Sequence, residues 1–206
     1  ANKKNSGGLE DTMEKNGRYK KMKKSALIAL AVIIGASLPI LGYDWTHSVD
    51  VRYDEERNER QRGYLWIPES CSSGVRGLIM GAHTSAEALF VLDPHIRGVA
   101  EEERLAIIYF YPSAFSTLGP EDTTLFKETL GQFAAMSGFP EIEHAPWISL
   151  GHSTSSHFVM NLAWWWPERT FGAITYKGGL VPEPEWTEKK ISHVPIIGFN
   201  GEFEEY

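Results

Sequence analysis

Ser153 is the residue in this sequence whose type and neighbours best suit covalent chemistry. It stands in the stretch GHSTS, directly after the apolar residues 147–150. A serine at a sharp turn between a strand and a helix can act as a nucleophile, because the turn exposes its hydroxyl above the sheet. The two backbones pass close together at such a turn, so small residues are needed on either side; Gly151 and Ser155 meet this need, although a second glycine is usual at the latter position. A helix-capping serine in a loop is the alternative interpretation.

The segments that would position this serine alternate between strand-like and helix-like patterns. Strands are predicted at residues 48–56, 63–69, 75–83, 105–112, 147–150, 171–177 and 194–200. Helices are predicted at residues 94–105 and 121–139, and after Ser153 as far as Trp166, where Pro167 ends the last of them. Continuous apolar strands that alternate with helices favour an α/β protein with a mostly parallel sheet covered on both faces.

The segment LGHSTSSHFVMNLAWWWPERTFGAITYKGG, residues 150–179, resembles the nucleophile elbow, following helix and next strand of an α/β-hydrolase. The similarity extends from about residue 60 to the end of the chain and is to secreted bacterial esterases and depolymerases of that superfamily. The resemblance implies a three-layer α/β-hydrolase fold, with a mostly parallel central sheet and helices on both faces. It also implies that residues 48–206 form an incomplete domain whose last strand and helix are missing.

The resemblance further implies which groups would stabilise the oxyanion formed when a carbonyl is attacked. One backbone amide would come from Thr154, the residue after the nucleophile. The other would come from the loop after the third strand, where His83 and Thr84 are both candidates. A structural histidine at a strand end remains the alternative interpretation of His83.

The catalytic acid implied by the resemblance follows a later strand, and the catalytic histidine follows the acid. Glu204 comes three residues after Gly201 and is the candidate acid, with Glu202 as the competing assignment. Only Glu205 and Tyr206 remain after it. The chain is therefore expected to be a C-terminally truncated fragment whose histidine lies beyond its end, and to hydrolyse esters poorly by itself.

The first 42 residues have the pattern of an exported protein. A lysine cluster at residues 20–24 precedes the apolar residues 26–41, a run shorter than the roughly 20 residues of a membrane-spanning helix. We predict a signal peptide over residues 22–42, starting at Met22, and a secreted or periplasmic protein; an uncleaved anchor is the alternative. Residues 1–21 are polar and without periodicity, and are expected to be disordered or not part of the natural protein.

The amino-acid composition limits which binding partners and cofactors are expected. Residues 25–206 hold 12 basic and 24 acidic side chains, and this acidic body disfavours nucleic acid. Cys71 is the single cysteine, and the histidines form no H-E-x-x-H motif, so neither a metal nor another cofactor is expected.

The predicted function is that of a secreted serine hydrolase for carboxylic esters. The esters are either small molecules or acylated polysaccharides and polyesters, and the protein contacts a membrane only transiently, through its signal peptide. A non-catalytic binding or scaffold protein of the same fold, or a peptidase, are the alternatives.

Overall fold

The computed structural model describes residues 44–112, 114–115, 117–178, 191 and 193–201. The predicted upstream segment 1–21, the predicted signal peptide 22–42 and both candidate acids, Glu202 and Glu204, lie outside the described residues. Within the described ranges, no helix combines the length and apolar character needed to cross a bilayer.

The described residues form seven strands and four α-helices. In chain order they are β1 (His47–Asp54), β2 (Glu59–Trp66), β3 (Gly77–Ala82), α1 (Ser85–Leu92), α2 (Pro94–Glu102), β4 (Leu105–Tyr111), α3 (Thr123–Ser137), β5 (Trp147–His152), α4 (Ser156–Trp165), β6 (Thr170–Tyr176) and β7 (Ile196–Phe199). Local signals set several ends. Asp93 caps α2 by accepting a hydrogen bond from the His95 N–H at 2.8 Å, and α3 ends at Gly138, which has a φ of 76°.

One sheet joins all seven strands in the order β1-β2-β4-β3-β5-β6-β7. β1 and β2 form an antiparallel hairpin and β2 is antiparallel to β4, whereas β4, β3, β5, β6 and β7 run parallel. This mostly parallel arrangement, with helices in the connections, confirms the predicted fold class. Because neighbouring parallel strands end at the same edge, the residues after β3, β5, β6 and β7 leave the sheet together.

Alternate residues of β3 face two different helical layers, as the period of a strand requires. Leu78, Met80 and Ala82 belong to the main core, which α3 and α4 cover. Gly81 faces α1 instead, where an added Cβ would lie 3.3 Å from Glu87 Cβ. Helices therefore cover both faces of the sheet, as predicted.

Aromatic rings hold α3 and α4 against β5. The Phe126 ring of α3 stacks on Trp166, with centroids 5.2 Å apart, and meets Trp147 of β5 edge-on at 6.1 Å. It also contacts Phe158 of α4 at 6.3 Å. Such pairs contribute beyond the area they bury. The cluster packs α3 and α4 against β5, the strand that leads into the Ser153 turn.

One helix was not expected from the sequence. Residues 85–92 form α1, although the sequence pattern predicts only a loop after the strand at 75–83. The helix is short and apolar, with little periodicity to distinguish it from a strand. Its signal is at its start, where Thr84 and Glu87 have the spacing of a capping box, and Thr84 Oγ1 accepts a hydrogen bond from the Ala86 N–H at 3.2 Å.

Candidate active site

Ser153 lies at the turn where β5 ends and the helical segment before α4 begins. A short 3₁₀ helix, Ser153–Ser155, joins the strand to α4. Ser153 is exposed and has a φ of 54°, in the left-handed region that costs a non-glycine residue on the order of 1–3 kcal/mol. Such a conformation persists only where its surroundings enforce it. The backbone expected for a nucleophile turn is thus present at this serine.

Two glycines allow the turn to pack. A Cβ on Gly151 would lie 2.6 Å from the carbonyl carbon of Ser155 and 2.8 Å from Val159 Cγ2. A Cβ on Gly178, just after β6, would overlap the carbonyl oxygen of Ser153 and lie 2.8 Å from Ser156 Cβ. Both obstacles include backbone atoms, which cannot swing aside. The turn is therefore closed from two sides by residues that must lack a side chain.

The side chain of Glu87, in α1, contacts the same turn. Its side chain is buried, and Oε1 accepts hydrogen bonds from the backbone N–H of His152, at 2.5 Å, and from the hydroxyl of Ser155. Ser155 is buried as well, and its hydroxyl lies 2.7 Å from the His152 carbonyl oxygen. The carboxylate thus contacts the residue before Ser153 and the residue two positions after it.

The same carboxylate is connected to the loop after β3. Glu87 Oε2 accepts a hydrogen bond from the Thr84 hydroxyl, and the Thr84 carbonyl oxygen accepts one from the Tyr109 hydroxyl at 2.8 Å. Burial, and then the charge of Glu87, raise the pKa of Tyr109 far above its usual value, so this hydroxyl remains a donor. One chain of hydrogen bonds therefore runs from β4 through the Thr84 loop to the Ser153 turn.

The three candidate oxyanion donors differ in their present partners. The N–H of His83 donates to the Phe110 carbonyl oxygen at 2.8 Å, and the N–H of Thr84 to Ala82 at 3.2 Å. The N–H of Thr154 lies in the first turn of a helical segment, where backbone amides have no acceptor within the helix. Of the three, Thr154 is the amide whose place in the chain best suits an incoming oxyanion.

His83 itself has a φ of 84°, so the loop after β3 is strained like the Ser153 turn. Burial lowers the pKa of its imidazole, and the nearby charge of Glu87 opposes that effect without cancelling it. The side chain is therefore held in its neutral form near pH 7. The alternatives of an oxyanion-loop residue and a structural histidine both remain compatible with this placement.

Other histidines near the turn are placed by contacts away from Ser153. The His152 ring lies against Tyr176, with centroids 5.5 Å apart, and His193 lies 3.3 Å from the Pro167 carbonyl oxygen. His157 is exposed on α4. The candidate acids, Glu204 and Glu202, lie outside the described residues. β7 nevertheless pairs in parallel with β6, Phe199 opposite Tyr176, so the chain after it starts from the sheet edge that carries Ser153.

An apolar hollow of about 550 Å³ lies beside the turn on the α1 side of the sheet. Phe90, Leu150, His152, Ile174, Tyr176 and Phe199 line it together with Glu87. Ser153 is not among its lining residues, so the hollow does not by itself form a site around the serine hydroxyl. In the part of the chain that the structure describes, no group of histidine, cysteine and acidic side chains is arranged to hold a metal ion.

Glu87 belongs to this site although no motif in the sequence marks it as a site residue. The capping-box spacing from Thr84 to Glu87 was a usable signal for the helix, but it predicts a carboxylate that turns back to its own helix start. The structure directs this carboxylate to His152, 65 positions along the chain. Only the pairing of β3 with β5 brings the two segments together.

No family model and no curated protein sequence matches this chain. Its similarity to known proteins is found only by comparing structures. Similar solved structures include a thermostable esterase, with 14% identity, a TM-score of 0.49, and coverage of 74% of this chain and 45% of that protein. Others are an S-formylglutathione hydrolase from Staphylococcus aureus (15%, 0.42, 71% and 65%) and an acetyl xylan esterase from Aspergillus awamori (14%, 0.44, 64% and 51%). The chain thus spans between 45% and 65% of the length of these three proteins.

Proposed function

We propose that this chain is part of a serine hydrolase for carboxylic esters, with Ser153 as its nucleophile. The observation that carries the proposal is the exposed Ser153 at a φ of 54°, in a strand-to-helix turn closed by Gly151 and Gly178. A helix cap needs no such conformation, because N-cap residues take extended backbone angles. A strained, exposed serine at the carboxyl edge of a mostly parallel sheet is instead the geometry of a nucleophile.

In the proposed reaction, the Ser153 oxygen attacks the ester carbonyl and the Thr154 N–H stabilises the resulting oxyanion. A histidine takes the serine proton and returns it to the leaving alcohol, while a carboxylate, Glu204 or Glu202, orients that histidine. Water then releases the acyl group by the reverse of these steps. The proposal places the histidine after Tyr206, and a second oxyanion amide from His83 or Thr84 requires that loop to release its present acceptors.

The test uses the protein expressed with the coding sequence that follows Tyr206. A fluorophosphonate probe should form an adduct on the peptide that contains Ser153, and hydrolysis of p-nitrophenyl acetate should fall at least about 1,000-fold in Ser153→Ala. Ser48→Ala, at an exposed serine of β1, is the matched control and should keep full activity. An adduct on another residue, or an active Ser153→Ala, contradicts the assignment.

A non-catalytic protein of the same fold is the second candidate function. The observation that favours it is that the His83 and Thr84 amides already donate to Phe110 and Ala82. A binding protein needs no open oxyanion site, whereas an esterase gains on the order of 3 kcal/mol from each such donor. If the protein only binds its partner, the fluorophosphonate probe should form no adduct on Ser153, even in the protein extended beyond Tyr206.

We also propose that the protein is exported. Supporting export are the lysines at residues 20–24 and the apolar residues 26–41. Expression from Met22 in a bacterial host, followed by N-terminal sequencing of the exported protein, should show cleavage near residue 42. Recovery of the uncleaved protein in the membrane fraction would support the anchor instead.

A further inference from the structure

Glu87 is a buried carboxylate that the proposed reaction does not use. Its side chain is fully buried and receives hydrogen bonds from three donors: the His152 N–H, the Ser155 hydroxyl and the Thr84 hydroxyl. Burying a carboxylate is costly unless its oxygens are satisfied in this way. Because burial of a carboxylate costs free energy, we expect Glu87 to have a specific role in the protein.

The donors show what Glu87 holds in place. His152 and Ser155 stand on either side of Ser153, so one carboxylate oxygen fixes both ends of the strained turn. The other oxygen holds Thr84, in the loop that faces this turn from β3. Glu87 therefore sets the distance between two loops that must act on the same reacting carbonyl.

Ser155 and Glu87 also form a matched pair. Glycine is usual at position 155 in turns of this kind, and the Ser155 hydroxyl would be a buried polar group without a charged partner if Glu87 were apolar. In this chain the hydroxyl donates to Glu87 and accepts a hydrogen bond from the His152 N–H at 3.0 Å. Each of the two residues thus satisfies the other.

We propose that Glu87 is a positioning residue, which together with Ser155 holds Ser153 in its reactive conformation and couples the turn to the Thr84 loop. The proposal rests on the proposed function in one respect, that Ser153 is the nucleophile. It does not make Glu87 a catalytic residue, because its oxygens are occupied by the protein itself. Its consequences for the backbone hold whether or not the protein is an enzyme.

Hydrogen–deuterium exchange on this chain tests whether Glu87 holds the backbone of the Ser153 turn in place. Glu87→Ala removes the charged acceptor of the His152 N–H and leaves only the Ser155 hydroxyl, at 3.0 Å, so exchange in a peptide covering residues 150–156 should become at least about tenfold faster. Glu87→Gln keeps one acceptor oxygen and should stay within about threefold of the wild type. Glu128→Ala, at an exposed glutamate of α3, is the matched control and should leave this peptide unchanged. Unchanged exchange in Glu87→Ala would overturn the proposal.

Labelling kinetics test the catalytic part on the protein extended beyond Tyr206. Glu87→Ala should lower kcat for p-nitrophenyl acetate, and the rate of fluorophosphonate labelling at Ser153, by about 100-fold, because a misplaced nucleophile loses its alignment. KM should change less than threefold, and Glu87→Gln should restore most of kcat. A merely structural role would instead reduce the fraction of active enzyme while leaving the rate constant of that fraction intact. Wild-type labelling kinetics in folded Glu87→Ala would overturn the proposal.

A double-mutant cycle keeps the proposal testable if Glu87→Ala does not fold. Ser155→Ala removes only the hydroxyl and should slow labelling by about tenfold, whereas the same change in a Glu87→Met background, which lacks the acceptor oxygens, should have a smaller effect. Additive effects would show that the two residues are not a matched pair. If wild-type Ser153 is not labelled at all, the proposed function fails, and the exchange experiment alone decides whether Glu87 positions the turn.

Discussion

Two carboxylates in this protein accept several hydrogen bonds each, and they lie in contrasting places. Glu87 is fully buried under the Ser153 turn and is held by His152, Ser155 and Thr84. Asp50 lies on the β1–β2 hairpin with about half of its side chain exposed, paired with Arg60 and Arg62 at 2.8 Å each. Water can replace the partners of Asp50 but not those of Glu87.

Burial, rather than the number of hydrogen bonds, decides how much a carboxylate contributes to stability. An exposed ion pair is screened by solvent and contributes between 0 and about 1 kcal/mol. A buried donor that loses its acceptor costs about 1–3 kcal/mol, because nothing else can satisfy it. The hydrogen bonds of Glu87 should therefore specify the shape of the turn, while those of Asp50 should only add modestly to the hairpin.

The largest expected effect comes from filling the space at the turn itself. Gly151→Ala should destabilise the protein by about 3 kcal/mol or more, since the new Cβ would press on the backbone of Ser155. Gly131→Ala, in α3, is the matched control, because a Cβ there meets nothing within 4 Å. It should stabilise the helix by up to about 1 kcal/mol. Urea unfolding measures both, and equal effects would refute the special packing of the turn.

Removal of the buried carboxylate should have the next largest effect. Glu87→Ala should lower the free energy of unfolding by about 2 kcal/mol, because the His152 N–H loses its charged acceptor in a buried place. Glu87→Gln should lower it by less. Urea unfolding with an unchanged slope would show that the effect is one of stability. A loss no greater than that of Asp50→Ala would remove the contrast between the two carboxylates.

A pH effect at His83 should be smaller and has a definite sign. Burial lowers the pKa of His83 in the folded protein below 6.5, the usual value of a histidine. The unfolded chain then binds more protons below that pH, so stability should fall as the pH drops through about 6.5 toward the lower folded value. His83→Asn removes the titration and tolerates the positive φ. The mutant should lose less stability than the wild type between about pH 7.5 and pH 5.5; equal losses would contradict the prediction.

The smallest effect is expected at the exposed carboxylate. Asp50→Ala should cost between about 0.2 and 1 kcal/mol, and less at high salt. Burial tends to raise the pKa of Asp50, but the hydrogen bond from Arg60 and the charge of Arg62 together outweigh it and lower the pKa. The stabilisation should therefore be present above pH 3.8, the usual value, and disappear as the pH falls through the lower folded value. Urea unfolding at several pH and salt values checks this. A salt-independent cost above about 2 kcal/mol would contradict the comparison.

Much of the fold could be predicted because its strands carry the signal within themselves. The apolar run of β4 and the proline that follows α4 mark an element and an end locally, and both predictions agree with the structure. The GHSTS stretch predicts a sharp turn between a strand and a helix, and Ser153 lies at such a turn, with a φ of 54°. Helix α1 was not predicted, because its few apolar residues suit a strand or a loop equally well.

Local sequence patterns therefore specify apolar strands alternating with helices, a mostly parallel sheet, and a serine flanked by small residues after the fifth strand. The contacts of Glu87 with His152 and Ser155, and the closure of the turn by Gly178 after β6, arise only when the chain is folded. These contacts join segments that are far apart in the chain and become neighbours only when β3, β5 and β6 pair. A carboxylate has the same chemical formula on a surface and in a core, and its surroundings alone decide whether it is solvated or holds a reactive turn in place.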